Sequence, residues 1–440
     1  MPATNGNKYQ SCWCPHNNKI NCMKQLLLPI VMFLSVATLM PSCTKNAQGK
    51  DVTNTINLPT NGGAVVEANN RFAFAFLQSA LQNDPSAGIN KLVSPLSIYL
   101  ALSMVYNGAD NATKDSMAVA LQLQGIDIND LNATCKALIQ QLPHEDNQVQ
   151  FSIANSIWYN NLGVQPLQSF LAVNNSYFNA TVQGLNFGDA SSVNTINNWV
   201  SANTQGKIPT IIQSLSPTDL MYLINAIYFK GGWQHAFKTS NTYNDNFNLQ
   251  TGTTVNVPFM KQDITTNIFT NNQLRLIELP YGGGNSYSMY IADANGSAEN
   301  SPLNINQFAA TLSASTLQTA ITGMQKSSVT LVLPKWEYEY SIDDFRPELA
   351  ALGMGIALGN GADFSKMYNQ PVAITKAIHK TYIKVDEEGT TAAAVTSIGI
   401  GSTAVAAPPV YKLDHPFVYV IAEKQTGTIL FTGIVNDPSK

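Results

Sequence analysis

The chain has 440 residues, 45% of them hydrophobic and only 12% charged, with a formal net charge of −4. A chain of this length buries a large core, and mixed folds of this size occur as a single domain. The near-neutral balance and the absence of any Lys/Arg run exclude a nucleic-acid surface and a polyanion-binding helix, so no nucleic acid is expected as a partner.

Residues 1–22 are polar and without pattern, which a misassigned start, with Met23 as the initiator, explains more simply than any function. Met23-Lys24 opens a short basic region, and Leu26 to Met40 is almost wholly apolar. This run falls short of the ~20 residues that span a membrane and suits the core of a signal peptide. It ends in Leu39-Met40-Pro41-Ser42-Cys43, which resembles a bacterial lipobox. The small Ser42 fits that motif, Pro41 departs from its strictest form, and Cys43 is the expected lipidated residue. Residues 23–43 are thus read as a lipoprotein signal peptide and 44–65 as a flexible Gly/Asn/Thr-rich tether. The folded domain is expected over 66–440. The product is expected to be secreted and lipid-anchored to the bacterial cell envelope, at the outer membrane or cell surface. Simple secretion with cleavage nearby is the alternative.

Four of the five cysteines precede residue 44. Cys135 alone lies in the body of the chain, so no disulfide framework can form there, and it reads as a buried small hydrophobe. Cys12 and Cys14 are followed by no second pair at ligand spacing, and no metal is expected.

Helical periodicity marks Ala68 to Leu81, Ser97 to Tyr106, Thr195 to Ala202 and Phe345 to Leu352. Strand-like runs are Leu223–Phe229, Arg275–Leu279, Ser328–Trp336, Thr381–Val385, Phe417–Ala422 and Thr428–Val435. Helices early and strands late predict an α+β domain with large antiparallel or mixed sheets.

One segment resists a loop reading. Gly389 to Tyr411 carries no charge, and Thr390 to Ile400 is small, weakly polar and free of proline. Its alternate residues form two faces that a central strand could cover. Pro408-Pro409 would end any ladder, and Gly389 supplies a pivot. Composition leaves three readings open: a buried helix, a small-residue linker, and a strand stored outside its sheet.

Context then bears on the choice. Asp386-Glu387-Glu388-Gly389-Thr390-Thr391-Ala392-Ala393-Ala394 resembles the proximal hinge of the serpin reactive loop. Asn90 to Ile98, with Gly108-Ala109 and Thr113, is similar to an early strand-to-helix block of that family. Further similar blocks are Asn198-Trp199-Val200 with Gly206-Lys207, Asn225 to Gly231 with Trp233, and Glu278-Leu279-Pro280-Tyr281. Leu333-Pro334-Lys335, His415-Pro416-Phe417 and Leu430-Phe431-Thr432-Gly433 follow in family order, although Ile434 stands where the family often has Arg.

The resemblance implies a serpin fold, with helices packed around large β-sheets and an exposed reactive-centre loop. It implies a monomeric suicide inhibitor rather than an enzyme, with no cofactor, whose partner is a target serine protease. The cleaved loop would insert into the central sheet while the protease is still held as an acyl-enzyme. Hinge residues would be Glu387, Glu388, Gly389, Thr390, Thr391, Ala392, Ala393, Ala394, Val395 and Thr396. Thr391 stands where many members have Glu, and Val395 is bulkier than the commonest choice. Ser94, Ser97, Asn225 and His379 match the cluster under the opening sheet, and Lys335, Glu387 and Trp233 match its top.

Counting forward from the hinge puts the cleaved bond at Thr403-Ala404; counting back from Pro416-Phe417 puts it at Val405-Ala406. These small uncharged residues suit a shallow elastase-like pocket rather than one with a buried Asp. Size differences alone discriminate by only ~1–3 kcal/mol, so subtilisin-like and papain-like targets stay open. A noninhibitory serpin-fold surface binding protein is the rival reading. His379 on its own could read as a catalytic base. No G-x-S-x-G elbow or H-E-x-x-H helix accompanies it.

Overall fold

A computed structural model describes residues 54–84, 88–294, 304–390 and 407–440. Cys43, the signal peptide, Thr391 to Thr396 of the hinge and the bond candidates Thr403, Ala404, Val405 and Ala406 lie outside the described residues. The helices are α1 (Gly62–Asn83), α2 (Pro95–Tyr106), α3 (Asn111–Ala120), α4 (Ile128–Gln141), α5 (Gln168–Phe178), α6 (Ala190–Asn203), α7 (Ile305–Thr311), α8 (Ala314–Thr322) and α9 (Arg346–Leu349). The early strands are β1 (Lys91–Val93), β2 (Val149–Asn160), β3 (Thr181–Leu185), β4 (Met221–Gly232), β5 (Tyr243–Asn248), β6 (Thr254–Thr270), β7 (Arg275–Tyr281) and β8 (Tyr287–Asp293). The later ones are β9 (Gln325–Pro334), β10 (Trp336–Ile342), β11 (His379–Asp386), β12 (Gly389–Thr390), β13 (Val410–Lys412), β14 (Phe417–Glu423) and β15 (Ile429–Val435).

Two sheets organise these strands. One runs β1-β15-β14-β8-β7-β6-β9-β13, with β5 also on β6; the other runs β10-β11-β12-β4-β2-β3. β8, β14 and β15 are buried along their whole length, as expected of near-continuous apolar runs covered on both faces. α1 and α2 pack between the sheets and the remaining helices. Pro95 opens α2 at its first turn, where its missing N–H costs nothing. Nearly every α2 side chain is buried, which explains a helix apolar on all sides.

The sequence reading differs from the structure at three places. Ser328–Trp336, read as one strand, is two: β9 ends at Pro334 and β10 begins at Trp336 in the other sheet. Between them the Lys335 N–H donates to the Pro258 carbonyl (2.9 Å), closing β9 while the chain changes sheet. Phe345–Leu352 is helical as read but changes type along the way: α9 passes directly into a π-helical turn over Ala350–Met354, in which Gly353 takes φ +101°. The tether expected to reach residue 65 is bound from Asn54 onward and enters α1 at Gly62.

The six-stranded sheet sets up the site. β2 and β4 pair from Val149↔Gly231 to Tyr159↔Met221, and β10 and β11 pair from Trp336↔Val385 to Ile342↔His379. Between these two halves, among the described residues, only the two of β12 form a ladder. Below β12, β4 and β11 make no ladder with each other among the described residues. A cavity of about 340 Å³ lies there, walled by β4, residues 371–381 and α2.

Candidate functional site

At the top of the six-stranded sheet, Gly389 pairs with Asp386 and Gly232, and Thr390 with Val385 and Gly231. Gly389 has φ +143°, and a Cβ there would lie 2.2 Å from the Gly231 carbonyl oxygen. Only glycine fits so close an approach at that angle. Thr390 is 4% exposed, and its hydroxyl hydrogen-bonds that of Tyr281 (2.6 Å). Tyr281 stacks on Trp233 at 4.6 Å and 13°.

Around this short strand the chain is tightly held. Trp233 Nε1 donates to the Asp386 carbonyl (3.0 Å); the Trp233 and Phe237 N–H groups donate to the Glu388 and Glu387 carbonyls (2.8 Å each). The buried Glu387 carboxylate accepts from Lys335 Nζ at 2.7 Å and from the Thr242 hydroxyl at 2.7 Å. Burial alone would raise its pKa, but these donors outweigh it and hold the carboxyl below its usual range.

Ser94, Ser97, Asn225 and His379 all face the cavity lower down. The Ser94 N–H donates to His379 Nε2 (3.0 Å), and the Ser94 hydroxyl donates to the Leu430 carbonyl (2.9 Å). Burial pushes the His379 pKa down to about 3, so its ring is neutral and accepts at Nε2. That role is structural: Nε2, the atom a general base would need, is already occupied. Asn225 is tied to the neighbouring strand, where its amide donates to Asn155 Oδ1 (2.8 Å). Its own Oδ1 is buried and meets no donor among the described residues.

A family model described as serpin (serine protease inhibitor) matches residues 67–438. A serpin-like protein of Thermococcus kodakarensis is 31% identical over 380 residues, covering 85% of this chain and 86% of its own. Serpin-Z1C of Triticum aestivum is 31% identical over 389 residues, covering 84% and 95%.

The chain is a serpin.

Solved structures agree. The thermophilic serpin tengpin in its native state superposes with a TM-score of 0.77 at 31% identity, covering 88% of this chain and 96% of tengpin. Human thyroxine-binding globulin gives 0.76 at 26% identity, covering 86% and 100%. Serpins are protease inhibitors as a family, and the α+β serpin fold follows from the same matches. In this serpin the downstream arm after residue 406 is secured separately. β13 runs parallel to β9, Lys412 pairs with Asp245 (2.8 Å) and Asp414 (3.2 Å), and Arg275 lies 4.4 Å over the Tyr411 ring.

Thr242, Tyr281 and Asn155 complete the site, yet sequence reasoning assigned none of them a role in it. Tyr281 sits in a block similar to the family, which was the available signal. Asn155 sits mid-strand in β2, opposite Asn225, and only the sheet register reveals it.

Proposed function

We propose that this serpin is an irreversible inhibitor of serine endopeptidases with small, elastase-like primary pockets. It acts by loop cleavage, acyl-enzyme trapping and insertion of residues 390–400 into the six-stranded sheet. Such insertion is an established serpin behaviour. One observation carries the reading: a two-residue strand starts between β4 and β11, directly above a gap where those strands are unpaired. Continuing the observed register brings Thr396 opposite both Asn225 on β4 and His379 on β11. The unpartnered Asn225 Oδ1 there accepts a donor well. Some ten further residues bring on the order of ten ladder bonds at ~0.5–1.5 kcal/mol each. That sum rivals the ~5–15 kcal/mol stability of a whole domain, and it is ample to hold a protease out of shape. Thr390 carries no charge and already sits at the top of the sheet, which favours the inhibitory reading over a noninhibitory one.

Cys43 is the proposed lipid attachment point, tethering the inhibitor to a bacterial envelope where it shields the cell from proteases. Residues 66–440 are the inhibitory domain in this reading. Incubating the chain with an elastase gives an SDS-stable complex on this account. Loop cleavage without any complex, for elastase and other small-residue proteases alike, replaces it with the noninhibitory binding role. Palmitate labelling that survives Cys43→Ala overturns the anchor.

A further inference from the structure

Two buried carboxyls face each other where α4 leads into β2 and where β14 turns into β15. Glu145 is 3% exposed and Glu423 fully buried, and their carboxyl groups lie within hydrogen-bonding reach. Glu423 already accepts from the Gln425 and Thr426 main-chain N–H groups and from the Thr426 hydroxyl. Glu145 Oε2 is buried and meets no N–H or O–H donor among the described residues. The Ser286 and Tyr287 hydroxyls lie within reach of the Glu145 carboxyl, but two charged carboxylates in that position still repel, and both lose hydration. A single proton between them turns the clash into a hydrogen bond.

The segment leading into α1 is strapped across this pair. The Asn54 N–H donates to the Glu145 carbonyl (3.1 Å), and the Asn54 side chain to that of His144 (2.6 Å). The Gln425 side chain clasps Ile56 in both directions, accepting from its N–H (2.9 Å) and donating to its carbonyl (2.7 Å). Gln141 does the same to Asn57 at 2.7 and 3.1 Å. The strap thus spans both walls of the carboxyl pair, one held through Glu145 and the other through Gln425.

We propose that Glu145 and Glu423 form a proton-gated clasp, which holds the strap of residues 54–57 while they share a proton and loosens it when the proton leaves. Other charged and titratable groups near the pair are Asp146 and His144 beside Glu145, Tyr287 and Tyr290 on β8, and Lys424. Lys424 Nζ is engaged by Glu278 at 2.5 Å, and the Asp146 carboxylate accepts from the Gly284 and Gln148 N–H groups. Neither therefore supplies a free countercharge or proton donor to the pair. Burial, followed by the neighbouring carboxyl, raises the pKa of Glu145, and burial also raises that of Glu423. A folded pKa raised above the unfolded value gives stability that is present at lower pH and lost as pH rises through the folded pKa.

The test compares wild type with Glu145→Gln, whose amide can donate to Glu423 at every pH. Hydrogen-exchange protection of residues 54–58 is measured from mildly acidic to mildly alkaline solution and corrected for intrinsic exchange. Wild-type protection falls by up to about tenfold per pH unit between the ordinary carboxylate range and the raised pKa of the closed pair, and levels off above it, and Glu145→Gln keeps its protection within about twofold. Equal slopes in the two proteins overturn the proposal. Should Glu145→Gln not fold, carbon-13 titration of the wild-type glutamate carboxyls decides. A Glu145 midpoint in the ordinary carboxylate range overturns the clasp, and a midpoint well above it supports the clasp.

Discussion

Gly389→Ala tests the hinge directly. The added Cβ would lie 2.2 Å from the Gly231 carbonyl, 2.7 Å from Gly232 Cα and 2.8 Å from the Trp233 nitrogen, all of them backbone atoms. Backbone in the middle of a sheet cannot yield by so much, so β12 has to leave. Its two residues pair on both sides, and antiparallel alternation gives about four ladder bonds in all. At ~0.5–1.5 kcal/mol each, the loss is about 2–6 kcal/mol. Alanine's smaller unfolded-state entropy returns only ~0.4–1 kcal/mol, so the clash wins. With an unfolding entropy near ~2.1 cal/mol/K per residue over the matched domain, the net loss lowers the native melting point by about 1–7 °C. Because insertion starts at these residues, more of the loop is turned over as substrate, and less SDS-stable complex forms per molecule cleaved. Circular-dichroism melting and the stoichiometry of inhibition read the two effects. A Gly389→Ala variant with wild-type melting and stoichiometry would refute the argument that the inserted strand begins at Gly389.

Three further outcomes follow from the site. Thr390→Arg forces a long cation into a position 4% exposed and opposite Tyr281; it abolishes complex formation while leaving loop cleavage intact, and a variant that still traps protease contradicts the buried path. Glu387→Lys replaces the partner of Lys335 with a second ammonium. Discounted for the partial exposure of Lys335, this costs about 2 kcal/mol and promotes polymers on mild heating, read by size-exclusion chromatography; a variant that remains monomeric and fully inhibitory rules out the pairing as a restraint. Because burial holds His379 neutral down to about pH 3, the unfolded chain takes up a proton that the native state refuses. Stability therefore declines as pH falls below the ordinary imidazole value, by up to ~2 kcal/mol at pH 5. His379→Gln flattens the melting-point profile over that range, and an unchanged profile assigns the loss to other groups.

Much of the scaffold was legible because its signals are local. The α1 and α2 patterns and the β14 and β15 apolar runs need no partner to be read. What escaped notice depends on partners far along the chain. The break at Lys335 is visible only once Pro258 is known to accept its N–H, since Ser328 to Trp336 keeps strand composition throughout. β6 alternates buried and exposed residues over much of its seventeen, but Pro258, Asp263 and three Asn or Gln side chains mask that alternation in the sequence. At the site, Lys335 and Glu387 were named from similarity alone and lie 2.7 Å apart. Asn225 lines the same cavity as His379, and its bond to Asn155 shows only in the sheet register. The pair Glu145 and Glu423, nearly three hundred residues apart, has no sequence signature at all.

The way β12 and β13 are fastened has a mechanical corollary. One lies in the six-stranded sheet; the other pairs with β9 in the other sheet and is tied to β5 by the Lys412–Asp245 ion pair. A chain fixed at both ends cannot thread itself down the groove between β4 and β11 without first tearing one attachment loose. Covalent continuity is then the safety catch: on the proposed mechanism the protease does not have to push anything, since cutting one peptide bond frees a single end and lets the sheet finish itself.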